Sequence, residues 1–223
     1  MYEGGTTEDR WSRYRSWNAA LASVICGPEF SGLPVFLDLE EDVLEKVAIA
    51  AGYDSHDPRS GLISAVRPTL NPPSHRAGMF GSHKAQLLRW HIESGDPPPT
   101  LALLAVLSLA AEDMHGGDGF ATHDYYNRLM ALLNVTDEHD KELIIKAYRR
   151  CSADLWDSLN NWLTFHEGEL GSLPHSLWGS LMLAYPFHKQ SCAQLTARSC
   201  ANSSRTSASP SAPTSPRGIW DCC

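Results

Sequence analysis

Pro97-Pro98-Pro99-Thr100-Leu101-Ala102-Leu103-Leu104-Ala105-Val106-Leu107-Ser108-Leu109-Ala110-Ala111 is the stretch on which the fold class turns. Three consecutive prolines keep the chain stiff and extended, and they deliver it to Thr100, a residue type that caps helices. No charge follows until Glu112, so a helix over 101–114 is apolar on nearly every side. Such a helix belongs at the centre of a bundle, surrounded by helices that bury only one face. It is also too short to span a bilayer.

The segments on either side supply those amphipathic partners. Residues 7–26 place Trp11, Tyr14, Trp17, Leu21 and Val24 at spacings of three and four, which predicts a first helix capped by Thr6 or Thr7 and ended by Gly27, Pro28 and Gly32. Leu33 to Leu37 is the only strand-like run, and Pro34 confines it to an edge or a connector. Asp38 is the expected cap of a helix reaching Ala51, with Val43, Leu44, Val47 and Ala48 inward and Gly52 as its stop. Asp57-Pro58 starts the next helix, which carries Leu62, Ile63 and Val66 and ends in the proline-rich 68–73 segment. A short helix over 82–93 turns Leu87, Leu88 and Trp90 inward. Beyond the Gly116-Gly117-Asp118-Gly119 loop, helices are expected over 123–133 and 137–166.

The fold class that follows is all-α, an irregular bundle of six or seven helices with at most one short extended segment. The chain has 223 residues, 43% of them hydrophobic and 20% charged, enough to bury one sizeable core. Residues 1–185 hold 14 basic against 25 acidic residues, a net −11, whereas 186–223 hold 4 against 1. Acidity of that order disfavours nucleic acid and anionic membranes as main partners. Residues 191–216 contain eight serines, no acidic residue and no apolar period, which predicts a disordered tail. The domain division is therefore 1–185, helical, and 186–223, a Ser/Ala/Pro-rich tail. A polar N-terminus without an export signal predicts a cytoplasmic protein. Its cysteines are read as reduced thiols, with Cys26 and Cys151 isolated in the body.

Ligand-type side chains concentrate around the glycine loop, where a flexible turn could bend oxygen and nitrogen donors toward a divalent ion. The candidate metal ligands are His115, Asp118 and His123, although a helix-loop-helix joint capped by its acidic residues accounts for the same pattern. His166-Glu167 opens like a zinc-protease signature but lacks the second histidine one turn later. Nucleotide-binding glycine motifs and the nucleophile elbow are absent from the sequence. Trp11, Trp17, Trp90, Trp156 and Trp162 fall on apolar helix faces and read as core. Tyr125-Tyr126 could face a cleft, or turn one ring inward and one outward. Arg149-Arg150 reads as a solvated face.

Trp17-Asn18-Ala19-Ala20-Leu21, then Leu33-Pro34-Val35-Phe36-Leu37-Asp38, then Leu155-Trp156, Leu159-Asn160 and Trp162-Leu163 resemble a bacterial helical protein family of unknown function. The resemblance implies no catalytic residue. It breaks where Gly171-Ser172-Leu173-Pro174 continues into His175-Ser176. Reading the codons of residues 186–197 one nucleotide earlier permits an amphipathic helix start, so the sequence after about Pro174 is read as truncated or frame-shifted.

The function expected from these features is a non-enzymatic helical interaction or regulatory module, the N-terminal part of a longer bacterial protein. Its partner would be another protein or its own missing C-terminal segment, meeting a patch of Leu159, Trp162, Leu163 and Phe165 that a lost helix would leave open. No cofactor is assigned. The rival expectation, from a different class, is a divalent-metal-dependent enzyme using the groups of the 115–124 loop.

Overall fold

A computed structural model describes residues 7–35, 37, 39–54, 56–112 and 122–173, and at residues 7, 112 and 122–124 the backbone alone. Among these the chain is all-α. Seven α-helices follow in order: α1 (Thr7–Ile25), α2 (Glu41–Ala50), α3 (Pro58–Val66), α4 (Gly81–Leu87), α5 (Leu101–Glu112), α6 (Thr122–Leu132) and α7 (Glu138–Phe165). Single 3-10 turns occur at Pro28–Phe30, Arg67–Thr69 and Ile92–Ser94. The extended segment after Gly32 makes one isolated parallel bridge, Pro34 with Ser172.

The central helix is α5. Leu101, Leu103, Leu104, Val106, Leu107 and Leu109 are all buried, as a helix without a polar face requires. It packs against α1, α3, α6 and α7. Tyr14, Trp17 and Leu21 form the buried stripe of α1, and its other neighbours are α2 and α3. Where α1 meets α3, Gly61 permits the approach, because a Cβ there would lie 2.5 Å from the Tyr53 ring and 2.9 Å from that of Trp17.

Local capping follows the sequence at two helices. Asp57 accepts from the Ser60 N–H at 2.9 Å, and Asp137 accepts from the Asp140 N–H at 3.0 Å. The bond to Ser60 holds the Asp57 carboxyl below the usual carboxylate range. Elsewhere the boundaries move. The N-cap of α2 is Glu40, not Asp38, and its carbonyl accepts the Val43 and Leu44 N–H groups. The helix expected over 82–93 closes at Leu87, and the chain re-forms only a 3-10 turn at Ile92–Ser94. Leu88 is consequently 77% exposed instead of inward.

Tyr125 and Tyr126 are both buried, neither at a cleft nor divided between core and solvent. Each ring lies within 6.3 Å of the Tyr148 ring, and the Arg149 guanidinium stacks over Tyr126 at 5.6 Å. Cys26 and Cys151 are buried, unpaired thiols, and burial pushes them up to about 12 and about 11 respectively. Of the helices described, none is long and apolar enough to cross a membrane.

Candidate functional site

The three prolines that position α5 create a problem of hydrogen bonding. Extended proline segments have carbonyls but no N–H donors of their own, so each buried carbonyl needs a donor from elsewhere. Side chains supply them. Trp90 Nε1 donates to the Asp96 carbonyl at 3.1 Å, Asn18 Nδ2 to Pro98 at 3.0 Å, and Tyr14 Oη to Pro99 at 2.8 Å.

The same α1 side chains cap α5. Asn18 Oδ1 accepts from the Ala102 N–H at 3.0 Å, and Tyr14 Oη accepts from the Leu103 N–H at 3.3 Å. Two of the donors that a helix leaves unpaired at its start are thereby satisfied across more than eighty residues of sequence. Thr100, the expected cap, instead bonds through Oγ1 to Ser158 Oγ of α7 at 2.8 Å. Burial drives the Tyr14 phenol well above its ordinary range, so it acts as a fixed hydroxyl and not as an acid.

Beside this proline strap lies an open cleft of about 450 Å³ between α1 and the stretch from α4 to the strap. Tyr14, Asn18, Pro97 and Pro99 form its floor. Trp11, Arg15 and Ala19 come from one side, and Gln86, Arg89, Trp90 and His91 from the other. Its charged residues are Arg15, Arg89 and Asp96. Arg15 pairs with Glu8 at 3.3 Å, both side chains being exposed. The side chains of Gln86, half-buried, and Arg89, exposed, have no hydrogen-bond partner among the described residues.

Behind Trp11 and Tyr14 sits His83, fully buried, its ring 5.3 Å and 5.0 Å from theirs. Thr69 Oγ1 donates to the Val66 carbonyl at 2.6 Å, so the contact with His83 Nε2 at 2.8 Å is accepted by Thr69 from an Nε2–H tautomer. Nδ1 is buried without a partner. Burial lowers the His83 pKa to about 3.

No family model matches this chain, and neither a curated protein nor a solved structure is similar to it. The site therefore has to be read from its own chemistry.

Of the residues singled out from sequence, His115 and Asp118 lie outside the described residues, and of His123 only the backbone, in the first turn of α6, is described. The tail from 186 onward also lies outside them. Among the described residues no three His, Cys, Asp or Glu side chains converge in a way that could hold a metal ion. Leu159, Trp162 and Leu163 are buried, and only Phe165, 48% exposed, reaches the surface. They do not form an open patch, because α7 turns them toward the core alongside Leu155 and Ser158.

Sequence reasoning missed the cleft. Helical periodicity places Trp11 and Trp90 on apolar faces and predicts both as core, yet both are only partly buried and line the cleft. The missing signal was the proline run itself, whose carbonyls require donors from another part of the chain.

Proposed function

We propose that this protein is a non-enzymatic helical interaction module that binds a protein partner through the cleft between α1 and the proline strap. The observation that carries this reading is the pairing of two partly exposed tryptophans, Trp11 and Trp90, with two arginines, Arg15 and Arg89, around one concave surface. Tryptophan and arginine are the residue types that contribute most to binding at protein interfaces, since each combines large contact area with a directional donor. Two reactive side chains near the cleft have structural duties, Tyr14 being committed to two backbone groups and His83 buried behind it, and the third, His91, stands exposed on the wall with no nucleophile or carboxylate hydrogen-bonded to it among the described residues. Cys26 and Cys151, unpaired and buried, suit the reducing cytoplasmic setting that the sequence suggests.

An array of random short peptides probed with the whole chain tests the proposal. A reproducible subset should bind wild type, lose binding to Trp11→Leu and Arg89→Ala, and retain it for Ile49→Ala, an exposed position on α2. Absence of any bound peptide, or binding indifferent to Trp11 and Arg89, overturns it.

A further inference from the structure

We infer that His83 is a proton-operated latch, closing the 81–97 wall of the cleft against α1 and letting it open as the medium turns acidic. The device does not depend on what the cleft binds, only on how that wall is held. The attachment is sparse. His83 is the only buried residue from Gly81 to Pro97, a stretch that contributes Gln86, Arg89, Trp90 and His91 to the cleft. Among the described residues, the backbone N–H groups of this stretch find their backbone acceptors within residues 78–92, and the Trp90 indole bonds to Asp96 of the same stretch. Side chains tie it to the body instead. The His83 ring packs 5.3 Å and 5.0 Å from those of Trp11 and Tyr14 and bonds to Thr69, the Ser82 hydroxyl donates to the Thr69 carbonyl, and Lys84 pairs with Asp154. An exposed ion pair contributes little, which makes the imidazole the one buried anchor.

Such an anchor differs from a leucine in one respect: a single proton turns it from a packed ring into a buried ion. Nδ1 has no partner among the described residues and can take that proton. The groups around the ring offer no counter-charge. Tyr14 is the titratable side chain in contact with it, and burial keeps that phenol neutral. On the packed elements, Glu8, Asp9, Arg10, Arg13 and Arg15 of α1 are exposed, Arg67 of the 3-10 turn donates to the Leu132 carbonyl, and Lys84 of α4 is engaged with Asp154. Burial therefore lowers the imidazole from 6.5 to about 3 while the wall is closed, and swinging the wall away from α1 hydrates the ring and restores its ordinary value. The proton binds the open form and draws it out. From pH 7 to pH 5 the open population should rise about twenty-fivefold. On the interaction reading, that opening parts Arg89 and Trp90 from Trp11 and releases whatever the cleft holds.

Native-state hydrogen exchange on the full chain tests the latch, read by NMR at several sub-denaturing urea concentrations and corrected for the intrinsic pH dependence of exchange. The Lys84 and Leu88 N–H groups, bonded to the Phe80 and Lys84 carbonyls, should exchange through an opening that urea does not promote. The Leu104 N–H of α5 should exchange only through urea-promoted global unfolding. From pH 7 to pH 5 the protection of Lys84 and Leu88 should fall about twenty-fivefold in wild type and stay nearly level in His83→Gln. Protection of both amides as high and as urea-dependent as that of Leu104 overturns the latch, since the wall then opens only when the whole chain unfolds. Unchanged protection across the pH range in wild type overturns it too, and that result needs no variant to fold. An equal fall in His83→Gln assigns the opening to another group and sinks the role of His83. The peptide array reads a different quantity, so the latch and the interaction reading can each fail alone.

Discussion

Acidifying this protein from pH 7 to pH 5 should remove about 2 kcal/mol of stability through one side chain, His83, by the following linkage. The imidazole is fully buried, donates from Nε2 to Thr69, and keeps an unpartnered Nδ1 among the Trp11 and Tyr14 rings. Accepting a proton there would place a charge in a fully buried, aromatic-lined site, and burial lowers the pKa from 6.5 to about 3. Between those values the unfolded chain binds a proton that the folded chain does not. Stability is therefore intact above pH 6.5, declines as pH falls below it, and reaches its full loss near pH 3. One and a half pH units below 6.5, at about 1.4 kcal/mol per unit, gives the figure of about 2 kcal/mol at pH 5. The assay is urea unfolding followed by far-UV circular dichroism at pH 7 and pH 5, for wild type and for His83→Gln. Glutamine keeps a donor toward Thr69 but does not titrate. Every other ionisable group is common to the two proteins, so the difference between their pH dependences isolates His83. Whatever its absolute stability, the variant should lose about 2 kcal/mol less than wild type between the two pH values. Equal losses would refute the reasoning, because His83 would then have to be hydrated or protonated in the folded state.

Asn18→Ala should destabilise the fold by about 1–3 kcal/mol in urea unfolding, because it leaves the Ala102 N–H buried and unpaired and takes from the Pro98 carbonyl one of its two donors, the Leu101 N–H remaining; a loss under about 0.5 kcal/mol would show that water replaces the amide. Gly61→Ala should lower the melting temperature and cost about 1–2 kcal/mol, since overpacking against Tyr53 and Trp17 outweighs the gain in helix propensity; a stabilised variant would show that α1 and α3 can separate freely. Brief iodoacetamide treatment of the native protein followed by peptide mass mapping should leave Cys26 and Cys151 unmodified, because burial both covers the sulfur and disfavours the thiolate. Rapid labelling of either would contradict the packing of α1 or α7.

Fold class and most helix positions are legible in the sequence, because they depend on interactions within a few residues. Helical periodicity located α1, α2 and α3, Asp57 marked the start of α3, and the uncharged run after Thr100 marked α5 as central. Which apolar side chains become core depends instead on how the helices pack. Trp17 and Trp90 both read as core from helical spacing, yet Trp17 is buried where α1 meets α3 while Trp90, beyond the end of α4, lines a cleft. Leu88 departs from its expected inward position for a related reason, since α4 ends a residue earlier and its apolar stripe is broken there. The cap of α5 and the cleft beside it were illegible because their partners, Tyr14 and Asn18 on one side and residues 96–103 on the other, are some eighty or more positions apart. A local pattern records that a proline carbonyl needs a donor. Which donor arrives is fixed only when α1 packs across the start of α5.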